Sequence, residues 1–206
     1  MEPLTLARIA LPLLLLVFAG VLLVWPVLRL RRQTGVWAVT LHRNTTAGNR
    51  AMGVVFLALV TGLAWLVFRF AVAGPASIGV WPAPGGLALA GLLLCAAGVG
   101  VIAVAQRQMG ESFRIGIDDA KTALVSRGLF ARVRNPIYSG LLAMLLGVAL
   151  VIPCAASLLL GAAAAAAIAL HTRLEERHLL ALHGDAYRSY AAGVGRFFPG
   201  IGRLRT

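Results

Sequence analysis

Three apolar stretches decide what this chain can fold into, since each runs for about 20 residues or more. They are residues 6–30, 51–70 and 85–105. At a rise of about 1.5 Å per residue, a helix of this length spans the roughly 30 Å hydrocarbon core of a bilayer. The first stretch is too long for a signal peptide and lacks a convincing small-residue cleavage site, so we interpret it as a true span. The chain is therefore expected to cross a membrane.

Two shorter apolar arms follow, residues 137–152 and 155–170, and only Pro153 and Cys154 separate them. Each arm is short for a span, so the pair predicts a tight helical hairpin that packs partly against other helices. A content of 60% hydrophobic and 13% charged residues lies outside the range of ordinary globular domains. The predicted fold class is all-α: a polytopic membrane helical bundle of about five transmembrane helices, including this hairpin, plus a cytoplasmic C-terminal helix.

Positive charge is distributed unevenly along the chain. Of the 19 Lys and Arg residues, all except Arg8 and Arg69 fall in three polar regions, residues 29–50, 107–134 and 173–205. These regions lie on one side of the predicted arrangement, and the positive-inside rule assigns that side to the cytoplasm. The N-terminus is then expected outside and the C-terminus in the cytoplasm.

Nucleic acid and metal ions are not expected partners. The net charge of +12 would suit nucleic acid, but neither an aromatic-interleaved basic stripe nor a known binding motif accompanies it. His171, His178 and His183 are spaced by seven and five residues and do not share one helical face, so no metal site is predicted. Cys95 and Cys154 lie in apolar surroundings and are interpreted as small core residues.

Small residues mark one face of the third span. Gly91, Cys95 and Gly98 recur at spacings of four and three, which lets another helix approach closely. The segment that follows, residues 106–134, is the first substantial polar connection, and connections of this length are usually functional or disordered. Its recurring apolar residues favour an ordered segment that helps to build a site.

The densest run of positive charge is LVSRGLFARVRNPIYSG, residues 124–140. Pro136 forces Asn135 out of the helical region, which predicts a helix entry with Asn135 as the N-cap and Pro136 in the first turn. A helix starting at Ile137 directs its free N–H groups and the positive end of its dipole at this run. Anionic or carboxylate-bearing ligands are favoured there.

An acidic pair, Glu175 and Glu176, stands near the membrane at the start of a polar helical region, residues 173–190. Unpaired carboxylates would be costly there if they were buried. The sequence leaves two alternatives open: the pair is neutralised by Arg134 or Arg173, or it is reserved for a cationic ligand.

Together these blocks resemble a known family. GLFARVRNPIYSG, a short apolar hairpin and then EERHLLALHGDAYRSYAAGVGRFFPG are similar to the integral-membrane methyltransferases typified by isoprenylcysteine carboxyl methyltransferases and their bacterial relatives. The family pattern reads approximately LVTxGxYxxxRHPxYxG, hairpin, EExxLxxxFGxxYxxY, then a basic residue before an aromatic-Pro pair. The resemblance covers roughly residues 106–204, with both blocks in the right order and separation.

The resemblance implies binding of S-adenosyl-L-methionine at the cytoplasmic face, in a protein of the bacterial inner membrane. Arg173 would be the catalytic residue that faces the substrate, and Glu175 would meet the ribose or amino group of the cofactor. The residues implied to bind the cofactor are Thr122, Ala123, Leu124, Val125, Phe130, Asn135, Pro136, Ile137, Tyr138, Glu175 and Glu176. Asn135 replaces the usual His and Phe130 the usual Tyr, so a hydrogen bond to the cofactor is lost or altered at each place.

The sequence therefore predicts a three-span membrane scaffold, residues 1–105, followed by a cofactor-binding methyltransferase region, residues 106–206. The predicted function is methylation of a lipophilic or amphipathic small molecule or lipid that carries a carboxylate, thiol or amine. A methyl sulfonium with a carboxylate and an amino group suits a helix N-terminus and arginines beside acidic residues, and the transfer needs alignment but no metal. The alternatives are an NADPH-dependent sterol-reductase-like enzyme and a non-enzymatic small membrane protein.

Overall fold

The computed structural model describes residues 2–34, 47–110 and 124–204 and is helical throughout these ranges, apart from loops and two isolated β-bridges. Its α-helices are α1 Pro3–Ala19, α2 Trp25–Thr34, α3 Ala47–Ala73, α4 Gly85–Met109, α5 Pro136–Val151, α6 Ala155–His183 and α7 Asp185–Gly193. A π-helical turn, Gly20–Val24, joins α1 to α2, and 3-10 turns occupy Pro75–Ile78 and Gly128–Ala131.

Within the described residues, four helical stretches are long and apolar enough to cross a membrane. They are Pro3–Arg29, Arg50–Ala73, Gly85–Met109 and Ala155–His183, with mean hydropathies of 2.6, 2.4, 2.6 and 1.7. The shorter α5, of 16 residues, is the first arm of the predicted hairpin. These helices confirm the all-α polytopic membrane bundle.

The bundle has two chemically distinct ends. At the loop end, the backbone N–H of Trp81 donates to the carbonyl oxygen of Pro153 at 2.8 Å, so the connection between α3 and α4 meets the hairpin turn. At the basic end, the Arg107 guanidinium at the end of α4 lies 5.0 Å from the ring centre of Trp25.

The start of α5 is recessed from the basic end. A Cβ on Gly140 would lie 2.7 Å from the side chain of Ile102, so the first turn of α5 lies beside Ile102 of α4. From there α4 continues to Met109, about 10 Å further along its axis. The residues just before α5 therefore lie within the length of the bundle.

The close approach predicted for the third span is confirmed, and the partner helix is α5. A Cβ on Gly91 would lie 2.5 Å from the carbonyl oxygen of Gly147, and a Cβ on Gly98 would lie 2.6 Å from that of Gly140. Cys95, which is buried between these glycines, packs on the same face. The two backbones touch because no side chain stands between them.

The predicted boundary between the hairpin and the C-terminal helix is wrong. The second arm and most of the polar region 173–190 form the single helix α6, which runs for 29 residues to His183. Neither Gly nor Pro occurs in residues 162–183, and the Leu, Glu and Arg residues there are good helix formers. The helix ends only at Gly184, whose φ of 54° is accessible to glycine at little cost.

One apolar core joins both parts of the predicted two-part chain. Leu11 of α1 and Phe70 of α3 pack in a cluster with Cys95 and with Val148 and Ile152 of the hairpin. Cys95 and Cys154 are both buried free thiols, as expected.

Two polar side chains attach α1 and the π-helical turn after it to neighbouring helices. Arg8 donates to the carbonyl oxygen of Ala71 from Nε and Nη2, at 3.1 and 2.9 Å, which satisfies carbonyls in the last turn of α3. The Gln106 amide donates to the carbonyl oxygen of Leu22 at 3.2 Å. Pro26 has no N–H to offer that carbonyl, so the side chain of α4 supplies the missing donor.

Candidate functional site

A buried ion-pair cluster joins the start of α5, the second half of α6 and the C-terminal segment. Glu176 Oε1 accepts hydrogen bonds from Nε and Nη2 of Arg134, at 3.1 and 3.0 Å. Arg196 binds the same carboxylate, with Nη2 at 2.8 Å and Nε at 3.0 Å from Oε2. The side chains of Arg134 and Glu176 are only 1% and 10% exposed, so water hardly screens their charges. We call Arg134, Glu176 and Arg196 the clasp.

Arg134 uses its remaining N–H groups on backbone carbonyls of the C-terminal segment. Nη1 donates to the carbonyl oxygen of Ala191 at 2.9 Å and to that of Val194. Nη2 donates to the carbonyl oxygen of Gly202 at 3.0 Å. Because a guanidinium has five N–H donors, every one of them is engaged here. Arg134 therefore anchors the chain after α7 against the start of α5.

Asn135 occupies the N-cap position of α5 and Pro136 its first turn, as predicted, although the Asn135 side chain does not cap the helix. No side-chain cap hydrogen bond forms. The Asn135 amide instead donates to Glu176 Oε1 at 3.2 Å and to the carbonyl oxygen of Arg196 at 3.4 Å. Ser139 Oγ donates to the carbonyl oxygen of Phe197 at 2.7 Å, so the C-terminal segment lies directly against this helix end.

Glu175 faces α5 and α3 instead of the clasp. Its Oε1 accepts a hydrogen bond from the Tyr138 hydroxyl at 3.0 Å and lies 3.2 Å from Nε2 of His171. The His171 ring makes edge contacts with Phe56 and Tyr138, at centroid separations of 5.5 and 6.2 Å. The side chain of Glu175 is 29% exposed, and its Oε2 accepts no hydrogen bond from the described residues. We call Tyr138, His171 and Glu175 the Glu175 cluster.

Arg173 lies on the other side of α6. Two positions along a helix turn a side chain by about 200°, so Arg173 and Glu175 point in nearly opposite directions. Arg173 lines a cavity of about 430 Å³ together with Arg177, Arg196, Tyr187 and residues of the clasp. The structure therefore places the predicted catalytic arginine away from Glu175, in the cavity that Glu176 also lines.

The basic run before α5 forms a compact turn. Gly128 has a φ of 63°, and a Cβ there would lie 2.5 Å from the side-chain amide of Gln108. That amide oxygen accepts the backbone N–H of Leu129 at 2.8 Å, which attaches the turn to the end of α4. Phe130 is buried, and its carbonyl oxygen accepts the Tyr190 hydroxyl at 2.6 Å.

The structure brings the predicted cofactor residues together only in part. Tyr138 contacts Glu175, and Asn135 contacts Glu176. Ile137 instead packs against an apolar cluster of Val99, Ile102 and Met144. The remaining predicted positions are Leu124 and Val125, both half-buried, Pro136 and Phe130, both buried, and Thr122 and Ala123, which lie outside the described residues.

The sequence does not predict two residues of these clusters. Arg196 matches only the basic residue before the aromatic-Pro pair, and its contact with Glu176 joins positions 20 residues apart. The spacing of four between His171 and Glu175, which places both on one helical face, is the signal that could have identified His171. Within the described ranges, no group of three His, Cys, Asp or Glu residues could hold a metal ion.

Burial raises the pKa of the Tyr190 hydroxyl from 10.0 to about 12, although Arg134 opposes the shift. Because the folded-state pKa is the higher one, the unfolded chain loses its proton first as the pH rises past 10. The stability contributed by neutral Tyr190 is therefore complete below pH 10 and is lost between about pH 10 and 12.

We expect Tyr190→Phe to lower the free energy of unfolding by about 1 kcal/mol at neutral pH, because the hydrogen bond to Phe130 is lost. The variant should also lose less stability than the parent between pH 10 and 12. Thermal unfolding in detergent across this pH range measures both effects. Parallel pH dependences for the two proteins would contradict the assignment of the titration to Tyr190.

The comparisons with known proteins bear on this arrangement. The family model for phospholipid methyltransferases matches residues 87–186, nearly half of the chain. A solved structure of a eukaryotic intramembrane Ras methyltransferase, isoprenylcysteine carboxyl methyltransferase, superposes with a TM-score of 0.56. The alignment has 19% sequence identity and covers 99% of this chain and 73% of that one, so it shows a shared fold. No curated protein sequence matches significantly.

The family match includes α4, α5, α6 and the start of α7, the helices that carry the close glycine contacts, the clasp and the Glu175 cluster. The structural match extends over the N-terminal helices as well. Residues 87–186 thus resemble the phospholipid methyltransferase family, which supports an integral-membrane methyltransferase, and the chain shares the fold of the isoprenylcysteine carboxyl methyltransferase.

Proposed function

We propose that this protein transfers the methyl group of S-adenosyl-L-methionine to a lipophilic or amphipathic acceptor at the cytoplasmic face of a bacterial inner membrane. The family match supports the reaction, and the recessed start of α5 supports a site that an acceptor reaches from the bilayer. The cofactor supplies an electrophilic methyl group, and the protein has to bind it, align it and exclude water.

The observation that carries this proposal is the environment of Glu175. Tyr138 and His171 both approach its Oε1, which holds the carboxylate in one orientation and leaves Oε2 without a partner among the described residues. A positioned carboxylate of this kind accepts charge-assisted hydrogen bonds from an ammonium or bonds from ribose hydroxyls. S-adenosyl-L-methionine carries both groups.

We assign the other cofactor contacts to the segment before α5 and to its first turn. Leu124, Val125 and Phe130 supply apolar surface there, and Thr122 and Ala123 precede them in the sequence. Glu176 already binds two guanidinium groups and the Asn135 amide, so we propose that it positions Glu175 and the start of α5 instead of contacting the cofactor.

Titration of the purified protein in detergent with S-adenosylhomocysteine and, separately, with NADPH tests the function. We expect saturable binding of S-adenosylhomocysteine and none of NADPH. NADPH is tested because one observation favours a reductase. Arg173 and Arg177 line the same cavity and form no ion pair within the part of the chain that the structure describes, so this cavity would suit the phosphates of NADPH.

Glu175→Gln is expected to weaken S-adenosylhomocysteine binding by about 1.5–3 kcal/mol, because a charge-assisted hydrogen bond becomes a neutral one. Calorimetric titration in detergent measures the difference. Asp185→Asn is the matched control, since the side chain of Asp185 is 94% exposed at the start of α7. Parental affinity in Glu175→Gln would remove Glu175 from the cofactor site.

The proposed orientation rests on the charge asymmetry of the two ends. Reporter tags at the C-terminus and in residues 33–50 should report the cytoplasm, and a tag at the N-terminus should report the outside. The opposite result at the C-terminus would also contradict the proposed site, because the cofactor is cytosolic.

A further inference from the structure

His171 is held by three neighbours but has one nitrogen without a partner. Nε2 lies 3.2 Å from Glu175 Oε1, and the rings of Phe56 and Tyr138 contact the imidazole edge-on. Nδ1 is buried and has no hydrogen-bond partner among the described residues. A buried polar atom without a partner costs free energy, so its persistence here calls for a ligand.

Nε2 lies 3.2 Å from a carboxylate oxygen of Glu175, which favours a proton on Nε2. In that tautomer of the neutral ring, Nδ1 carries the lone pair. A histidine oriented by a carboxylate on one nitrogen, with the other nitrogen free, has the arrangement of a general base.

The surroundings of His171 suit an apolar molecule with a polar head. Leu170 and Leu174, which flank it on α6, are exposed, and so is Leu57, the neighbour of Phe56 on α3. The His171 side chain itself is 18% exposed. An acyl or alkyl chain lying along these residues would bring its head group to the imidazole from the bilayer side.

We propose that His171 is the general base of the methyl transfer, and that the acceptor is therefore an amine or a thiol instead of a carboxylate. The inference rests on the proposed function. The proton of the acceptor N–H or S–H moves to Nδ1 as the acceptor atom bonds to the methyl carbon, and the electron pair of the broken carbon–sulfur bond stays on sulfur. The resulting imidazolium is stabilised by Glu175 and returns its proton to solvent.

The presence of a base indicates which head group the acceptor carries. A carboxylate is already ionised at neutral pH and needs no proton acceptor, whereas a thiol or an ammonium must lose a proton before it attacks. Arg173, which would suit a carboxylate, points away from this cluster into the cavity on the other face of α6. The site around His171 thus contains a base and lacks a free cation within the described residues.

Three acceptor probes with the same dodecyl chain test this inference: dodecanethiol, dodecylamine and laurate, each with radiolabelled S-adenosyl-L-methionine. We expect methylation of the thiol or the amine and not of laurate.

His171→Gln, whose amide can still donate to Glu175, should lower the rate about 100-fold or more. The affinity of His171→Gln for S-adenosylhomocysteine should stay within about twofold of the parental value. A failure of this inference would therefore show in the rate, and a failure of the proposed function would show in cofactor binding by the parent. His183→Gln, at the end of α6, is the matched control.

A second readout needs neither cofactor nor acceptor. In protein labelled with ¹⁵N-histidine, the signal that disappears in His171→Phe should show an unprotonated Nδ1 and a protonated Nε2 at neutral pH. The reverse tautomer would overturn the proposal, and so would rates that are unchanged in His171→Gln. If His171→Phe fails to fold, single substitutions of the other three histidines assign the His171 signal by elimination, since the chain has four histidines.

Discussion

Arg134→Ala is expected to lower the free energy of unfolding by about 3–5 kcal/mol, the cost of removing one partner from a buried ion pair. Glu176 would keep Arg196 but lose both bonds from Arg134. The carbonyl oxygens of Ala191, Val194 and Gly202 would lose their donors at the same time. Equilibrium unfolding in detergent measures the change, and limited proteolysis should then cut the chain after α7 sooner than in the parent.

Arg132→Ala is the matched control, because Arg132 is exposed two residues earlier in the same basic run. Its effect should stay within about 0.5 kcal/mol. Arg134→Lys should not restore stability, since an ammonium presents three donors and no planar fork. An Arg134→Ala protein as stable as the Arg132→Ala protein would show that the clasp does not hold the C-terminal segment.

The sequence could predict the helices because hydrophobic length is a local property of the chain. The spans, the hairpin turn at Pro153 and the close approach at Gly91 and Gly98 all follow from stretches shorter than 30 residues. The predicted boundary between the hairpin and the C-terminal helix is wrong because the sequence changes from apolar to polar at His171, and this change does not end the helix. The backbone hydrogen bonds of α6 continue through it to His183.

The site was harder to predict because its contacts join distant positions. Of the two alternatives for the acidic pair, the structure supports neutralisation by Arg134 for Glu176 only. Adjacent helix positions differ by about 100° in direction, so Glu175 turns toward Tyr138 while Glu176 enters the clasp. No local pattern distinguishes these two carboxylates, and the distance of 20 residues to Arg196 hides the second partner.

Gly98→Leu is expected to destabilise the bundle by about 3 kcal/mol or more, at the upper end of the cost of overpacking. Its Cβ alone would lie 2.6 Å from the carbonyl oxygen of Gly140 and 2.7 Å from Met144. A backbone atom cannot move aside as a flexible side chain can, so α4 and α5 must separate. Because Tyr138 lies two residues before Gly140, the separation should also shift the Glu175 cluster and weaken S-adenosylhomocysteine binding.

Gly100→Leu provides the control within the same helix, since a Cβ at Gly100 would meet nothing within 4 Å. Both substitutions replace a helical glycine by leucine and gain the same intrinsic helix propensity. The difference between their unfolding free energies therefore isolates the contact between the two backbones. Equal stabilities would mean that α4 and α5 do not touch at Gly98 and Gly140. If Gly98→Leu is destabilised but binds S-adenosylhomocysteine with parental affinity, the packing of α4 against α5 does not determine the position of Tyr138.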